Sequence, residues 1–211
     1  MFEIEYKGGN CVVLSTKKTT LIADPKLSLV GLKDIKTKDE IELATEPRFA
    51  VENSEARVII QAPGEYEVGD FFIRATAATR HIDMETDERL ATIYHIDMGD
   101  VRIGLIGNIK DKLSDDQLET IGVVDILVLP VGGGGYTLDA TNASAIVRQV
   151  EPKVVIPVHY ADPGLKYEVP QDTLDTFTSE LGAPVEQVEK FKIKGSAALP
   201  QSMTVVAIKR T

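Results

Sequence analysis

Cysteine is nearly absent: Cys11 is the only one in 211 residues. A lone thiol excludes an intramolecular disulfide and any zinc site built on several thiolates. Positive charge is also short, with 23 Lys and Arg against 33 Asp and Glu, for a net charge of -10. A chain this acidic is repelled by nucleic acid and by anionic membranes, so neither is expected as a partner. The acidic residues are spread along the chain rather than gathered in a tail, which reads as a solubilising surface. Long apolar runs are missing as well. The longest, Ile126 to Val131 and Val154 to Val158, are far too short to span a bilayer. Met1 to Tyr6 alternates charged and apolar residues and has no signal core, so a cytoplasmic location is expected. No Pro-, Gly- or Ser-rich linker divides the chain, and no repeat stands out, which predicts one domain over residues 1–211.

What is present is a change of texture. The first half reads as short strands: Phe2, Ile4 and Tyr6 alternating with charge, then Cys11 to Leu14 and Thr20 to Ala23 around a Lys17-Lys18 turn. Arg57 to Gln61, Glu65 to Val68 and Phe71 to Ala77 follow, and Gly99-Asp100 joins Ala91–Met98 to Val101–Ile106 as a hairpin. Later, strands alternate with helices. Ser114 to Gln117 is a capping box opening a helix towards Ile121. Ile126 to Pro130 and Val154 to Val158 read as strands buried on both faces. Between them, Asp139 to Val150 has helical spacing. Pro170 is expected to open a helix carrying Leu174, Phe177 and Leu181, with Gly182 stopping it. Phe191 to Lys194 and Met203 to Lys209 close the chain as strands. Helices must then cover the outer faces of sheets, so the expected class is layered α/β.

Chemistry in such folds gathers on loops at strand ends. Asp24-Pro25, Gly107-Asn108, Gly132 to Gly135 and Val158-His159-Tyr160 each follow a strand. The four-glycine run lacks the Lys-Ser/Thr ending of a P-loop, so it reads as a connector that lets backbones pass closely. His81, Asp83, Glu85, Asp87 and Glu88 form an acidic cluster that reads as a solvated loop rather than a metal site. His95 sits within a strand and reads as packed or exposed without chemistry. No Gly-x-Ser-x-Gly elbow is present.

These landmarks, in this order, resemble the small metallo-β-lactamase-fold hydrolases related to ascorbate-6-phosphate lactonase. The likeness covers nearly the whole chain. It is most specific in Val124 to Gly133, Tyr136 to Asp139 and Glu151 to Tyr160, with Pro63 to Val68 and Leu21 to Pro25 also matching. The resemblance implies a four-layer αββα sandwich with an active site at one edge between the sheets. It also implies a His-x-His-x-Asp-His loop, after the strand Ile41 to Ala44, that holds one or two divalent ions.

In this sequence that loop reads Thr45 to Val51, and none of the four ligands is there. Glu46 and Arg48 occupy the positions of the first two histidines, and Ala50 and Val51 those of the aspartate and the last histidine. Asn108 stands where a bridging aspartate is expected, and the middle-loop histidine falls near Arg80 and His81. His159 is the one family ligand position securely kept. The resemblance therefore points to a vestigial pocket of Asp24, Glu46, Arg48, Arg80, His81, Asn108 and His159.

Glu46 and Arg48 lie two apart around Pro47, so an extended segment would put them on one face. Arg48 is then expected to pair with a carboxylate, Glu46 or Asp24, and His159 to hydrogen-bond to a neighbouring side chain or to water rather than to metal. Two functions compete. One is a non-catalytic binding or scaffold protein with no cofactor. Its partner would be a small molecule or protein, with self-association or association with an active relative. The other is a hydrolase of a phosphorylated, lactone or other ester substrate, through a rebuilt weak zinc or manganese site. A metal-free variant of the second would use Glu46 as base and Arg48 or Arg80 as oxyanion support. The first is adopted, because no full set of catalytic groups can be assembled from this sequence.

Overall fold

The structure, a computed structural model, describes residues 1–52, 54–83 and 89–211. Its strands are β1 (Phe2–Gly8), β2 (Cys11–Ser15), β3 (Thr20–Ala23), β4 (Ile41–Leu43), β5 (Val58–Ile60), β6 (Gly64–Val68) and β7 (Phe71–Ala78) in the first half. The second half contains β8 (Ala91–Met98), β9 (Val101–Leu105), α1 (Asp115–Ile121), β10 (Ile126–Pro130), α2 (Ala140–Val150) and β11 (Val154–Val158). It closes with α3 (Leu174–Leu181), β12 (Val185–Val188), β13 (Phe191–Ile193) and β14 (Thr204–Ile208). The first sheet runs β13-β1-β2-β3-β4-β5, and the second runs β12-β14-β11-β10-β9-β8-β7-β6.

Alternation decides how the two sheets meet. Ile4 and Tyr6 of β1, with Val12 and Leu14 of β2, turn the same way and pack on Ile73, Tyr94, Ile96, Val128 and Ile156 of the second sheet. Each fully buried aliphatic side chain of this kind contributes roughly 1.5–3 kcal/mol. β10 and β11 are buried at every position, because their other face carries Leu127, Leu129 and Val155 against Ala143, Ile146, Val147 and Phe177 of the helices. Their unbroken apolar sequence is the consequence of burial on two sides. The capping box at Ser114 and Gln117 forms as its spacing predicts.

The expected two-sheet α/β sandwich is thus present, and one outer layer is thin. Among the described residues the α-helices pack on the second sheet. The outer face of the first sheet, Cys11, Val13 and Ile22, is covered by the 3-10 turn Leu27–Val30 and by Leu165. Two sequence expectations need correction. The third helix begins at Leu174 rather than Pro170, because Ala161 N–H donates to Asp172 O and Asp172 N–H to Gly132 O, which tie residues 161–172 to other loops. β12 was not expected at all. Its residues are largely exposed and show no apolar alternation, and it is an edge strand held by parallel pairing to β14. Of the acidic cluster, Glu85, Asp87 and Glu88 lie outside the described residues.

The sheet edge that matters is set by strand direction. β3, β4 and β5 run parallel, as do β9, β10, β11 and β14. The loops after β3, β4, β9, β10 and β11 therefore leave at carboxyl ends of parallel strands, and they converge on one edge of the sandwich.

Candidate functional site

Two close backbone approaches assemble the site. A Cβ on Gly107 would lie 2.4 Å from Thr45 Oγ1, so only glycine lets the loop after β9 seat against the loop after β4. That seating puts Asn108 beside Glu46. Similarly, a Cβ on Gly132 would fall 2.2 Å from the His159 carbonyl oxygen. The glycine run is therefore the close-passing connector its sequence suggests.

Glu46 lies at the centre, with its side chain only 1% exposed. A buried carboxylate needs partners, and it has three. Arg48 Nη2 donates to Glu46 Oε1 at 3.3 Å, while Arg48 Nε sits 2.9 Å from Oε2 as an ion pair whose N–H is not aimed at the oxygen. Arg80 Nη1 lies 3.6 Å from Oε2, and Asn108 Nδ2 donates to Oε1 at 3.4 Å. Asn10 Nδ2 in turn donates to Asn108 Oδ1 at 3.2 Å, which fixes that amide's orientation. Burial pushes the Glu46 carboxyl above its usual range, and the two guanidinium groups and Asn108 oppose this. The Glu46–Arg48 pair expected from the spacing is present, though by a different route. Glu46 is extended, while Pro47–Phe49 form a 3-10 turn that swings Arg48 back over it. The guanidinium also lies 4.8 Å above the Phe49 ring.

Asp24, the other carboxylate considered for Arg48, has a separate role. Thr45 N–H donates to its Oδ1 and Thr45 Oγ1–H to its Oδ2, both at 2.7 Å. This clip holds the residue just before Glu46. Burial raises the Asp24 carboxyl to about 7, partly opposed by the Thr45 hydrogen bonds and reinforced by the Glu46 charge. His159 behaves in the opposite sense. Burial, and then the Arg48 charge, lower its imidazole to about 4. Its backbone is left-handed (φ 52°), its N–H donates to Gly9 O, and its ring meets the Tyr167 edge at 4.8 Å. Among the described residues no side chain partners the buried His159 Nδ1.

The two shifts give opposed pH slopes. Asp24, raised from 3.8 to about 7, contributes stability that is full below about pH 4 and lost as pH rises towards 7. His159, depressed from 6.5 to about 4, contributes stability that is full above pH 6.5 and lost as pH falls towards 4. An Asp24→Asn variant should therefore gain stability from about pH 4 to 6.5 relative to the parent's slope. His159→Asn should show the reverse. Urea unfolding across that range measures both, and parallel slopes in all three proteins would refute the assignment.

The remaining sequence candidates are placed as follows. Arg80 reaches Glu46 and also pairs with Asp83. His81 does not join the site. Its Nδ1 lies 3.6 Å from Asp111 Oδ1, because its backbone is pinned to the Asn108 carbonyl and the chain turns there into a 3-10 segment. His95 is a buried structural histidine, with Nδ1 against Ile121 O and Nε2 3.0 Å from Asp97 Oδ1. Beside Arg48 and His159 opens a cleft of about 50 Å³, also lined by Asn108, Tyr136, Tyr167 and Gln171. The last three were not legible as site residues. Two of them, Tyr167 and Gln171, come from the 160–173 segment, whose position over the cleft is fixed by tertiary contacts. Among the described residues no three His, Cys, Asp or Glu side chains come together in a way that could hold a metal ion, and no helix is long and apolar enough to cross a membrane.

Residues 3–159 match the family model of the beta-lactamase superfamily domain. The fold is shared with a candidate zinc-dependent hydrolase of the metallo-beta-lactamase superfamily from Thermotoga maritima, at 21% identity and TM-score 0.81, covering 100% of both chains. A candidate metal-dependent hydrolase from Parabacteroides distasonis matches at 18% identity and TM-score 0.67, over 100% of this chain and 94% of that one. Igni18, a metallo hydrolase of Ignicoccus hospitalis, matches at 14% identity and TM-score 0.60, over 99% and 95%. The chain belongs to the beta-lactamase superfamily.

Proposed function

We propose that this beta-lactamase superfamily member binds a ligand, a small molecule or a protein, at a site where an ion-paired network stands in the place of a metal centre. It would act as a binding or scaffold protein, alone or beside an active relative. The observation that carries this reading is Glu46: a nearly inaccessible carboxylate flanked by Arg48 and Arg80. In metal-dependent relatives one or two divalent ions supply a Lewis acid and an activated water. The residues here do not fit such an ion. Two guanidinium groups face the carboxylate and would repel a dication. Asn108 offers a neutral amide already engaged by Asn10 and Glu46, and a single imidazole is a weak anchor.

Metal-free hydrolysis finds no better support. Both Asp24 oxygens accept from Thr45, and Glu46, whose Oε2 accepts no hydrogen bond, is shut from solvent between two guanidinium groups, so neither carboxylate is placed to take a proton from a solvent water. Phosphodiesters, lactones and β-lactams should accordingly not be turned over above background. Turnover that disappears in Glu46→Gln or His159→Ala would overturn the proposal.

A further inference from the structure

The cleft beside Arg48 is small and chemically one-sided in two places. Its volume of about 50 Å³, against roughly 10–15 Å³ for one water on the same measure, admits a headgroup of a few heavy atoms. Arg48 lines it and can only donate. Its Nε and Nη2 face Glu46, and among the described residues its Nη1 has no hydrogen-bond partner. Gln171 lines it too and presents an acceptor. Its Nε2 donates to Val169 O at 3.1 Å, which fixes the amide so that Oε1 is the free end, and that oxygen is buried without a partner. His159 Nδ1 is a second buried polar atom without a partner in the same lining. Gln171 Oε1 also lies near the His159 backbone carbonyl: one point beside Gly132 is 2.5 Å from the first and 2.2 Å from the second, so these two acceptor oxygens share one edge. Buried polar atoms are almost always partnered, so the unpartnered Gln171 Oε1 and His159 Nδ1, with the misaligned Arg48 Nε, on three residues lining one cleft, call for a ligand.

The geometry points to a short hydroxy-carboxylate headgroup as the occupant, its carboxylate on Arg48 and its hydroxyl donating to the acceptor edge formed by Gln171 and His159. The inference rests on the binding reading above. An anion without a donor would leave Gln171 Oε1 unpaired, and a neutral alcohol would leave the guanidinium unanswered. The orphan atoms are shut from solvent, and Gln171 belongs to the 160–173 segment. That segment is latched by Arg210 Nε to Asp162 at 2.6 Å and by Asp172 N–H to Gly132 O at 2.7 Å.

The test is a titration of the whole protein with glycolate, acetate and glycolamide, read by chemical shifts of the His159 and Tyr167 ring protons. Glycolate should saturate, with acetate and glycolamide each weaker by about tenfold, the step given by one charge-assisted or buried hydrogen bond. Gln171→Ala should bring glycolate and acetate to within about threefold of each other while acetate binding stays unchanged. Gln171→Met, closer in volume, serves if the alanine variant unfolds. Equal binding of glycolate and acetate to the parent, absence of saturation, or a preference that survives loss of Gln171 would each overturn the inference. Any of these in metal-free, hydrolytically silent protein defeats the ligand class alone. Stoichiometric metal would instead defeat the binding reading beneath it.

Discussion

Arg48→Ala is expected to destabilise the fold by about 2–3 kcal/mol. Stranding one member of a fully buried pair costs about 3–5 kcal/mol. The figure is reduced here because the Arg48 side chain is 32% exposed and because Arg80, at 3.6 Å, still faces Glu46. For a chain of this size the loss corresponds to a fall in Tm of about 4–12 °C. Its pH dependence follows from the same carboxylate. Burial already raises the Glu46 carboxyl, and Arg48 is the first of the groups opposing that. Without Arg48 the carboxyl rises further, so the deficit should be full at neutral pH and shrink in acid as Glu46 takes a proton. Adding Glu46→Gln should recover more than half the loss at neutral pH, since it removes the stranded charge. A single variant within about 0.5 kcal/mol of the parent, the usual effect of a surface change, would show that the pair does not organise the pocket.

Gly132→Ala should cost about 3 kcal/mol, the upper end of the overpacking range. The new methyl would stand 2.2 Å from the His159 carbonyl and 2.5 Å from Gln171 Oε1. The first of these is backbone, which cannot rotate away, so β10, β11 and the 160–173 segment must part. Gly135→Ala provides the control. Nothing lies within 4 Å of its Cβ, and only its φ of 77° opposes a side chain, so about 1 kcal/mol is expected. Urea unfolding of both variants gives the comparison. Similar losses would mean that the run serves turn conformation throughout rather than close passage at Gly132.

Much of the fold was readable because single positions carried it. Ile126 to Pro130 and Val154 to Val158 can be apolar throughout only if both faces are covered, and they are. Ser114 and Gln117 mark a helix start through two reciprocal hydrogen bonds that local sequence alone specifies. β12 escaped because an edge strand with exposed residues needs no apolar alternation. The start of α3 was misread because Pro170 suits either a helix or a loop, and contacts to Gly132 decided for the loop. The same division runs through the site. The pairing of Glu46 with Arg48 followed from their spacing, although a 3-10 turn rather than an extended strand delivers it. His159 could be named, but its orphan nitrogen could not, because a neighbour's absence is a tertiary fact. Tyr167 and Gln171 belong to a segment whose sequence carries no motif, and tertiary contacts place it over the cleft: the latches at Asp162 and Asp172, the Lys166 N–H on Val30 O and the packing of Leu165.

The central claim is that Glu46, Arg48, Arg80 and Asn108 form a self-compensated network with no place for a divalent ion. Elemental analysis of protein purified without chelator and without added metal tests it most directly. The account predicts zinc, manganese, nickel and iron far below one ion per chain. About one tightly held ion per chain, lost together with His159 in His159→Ala, would contradict it.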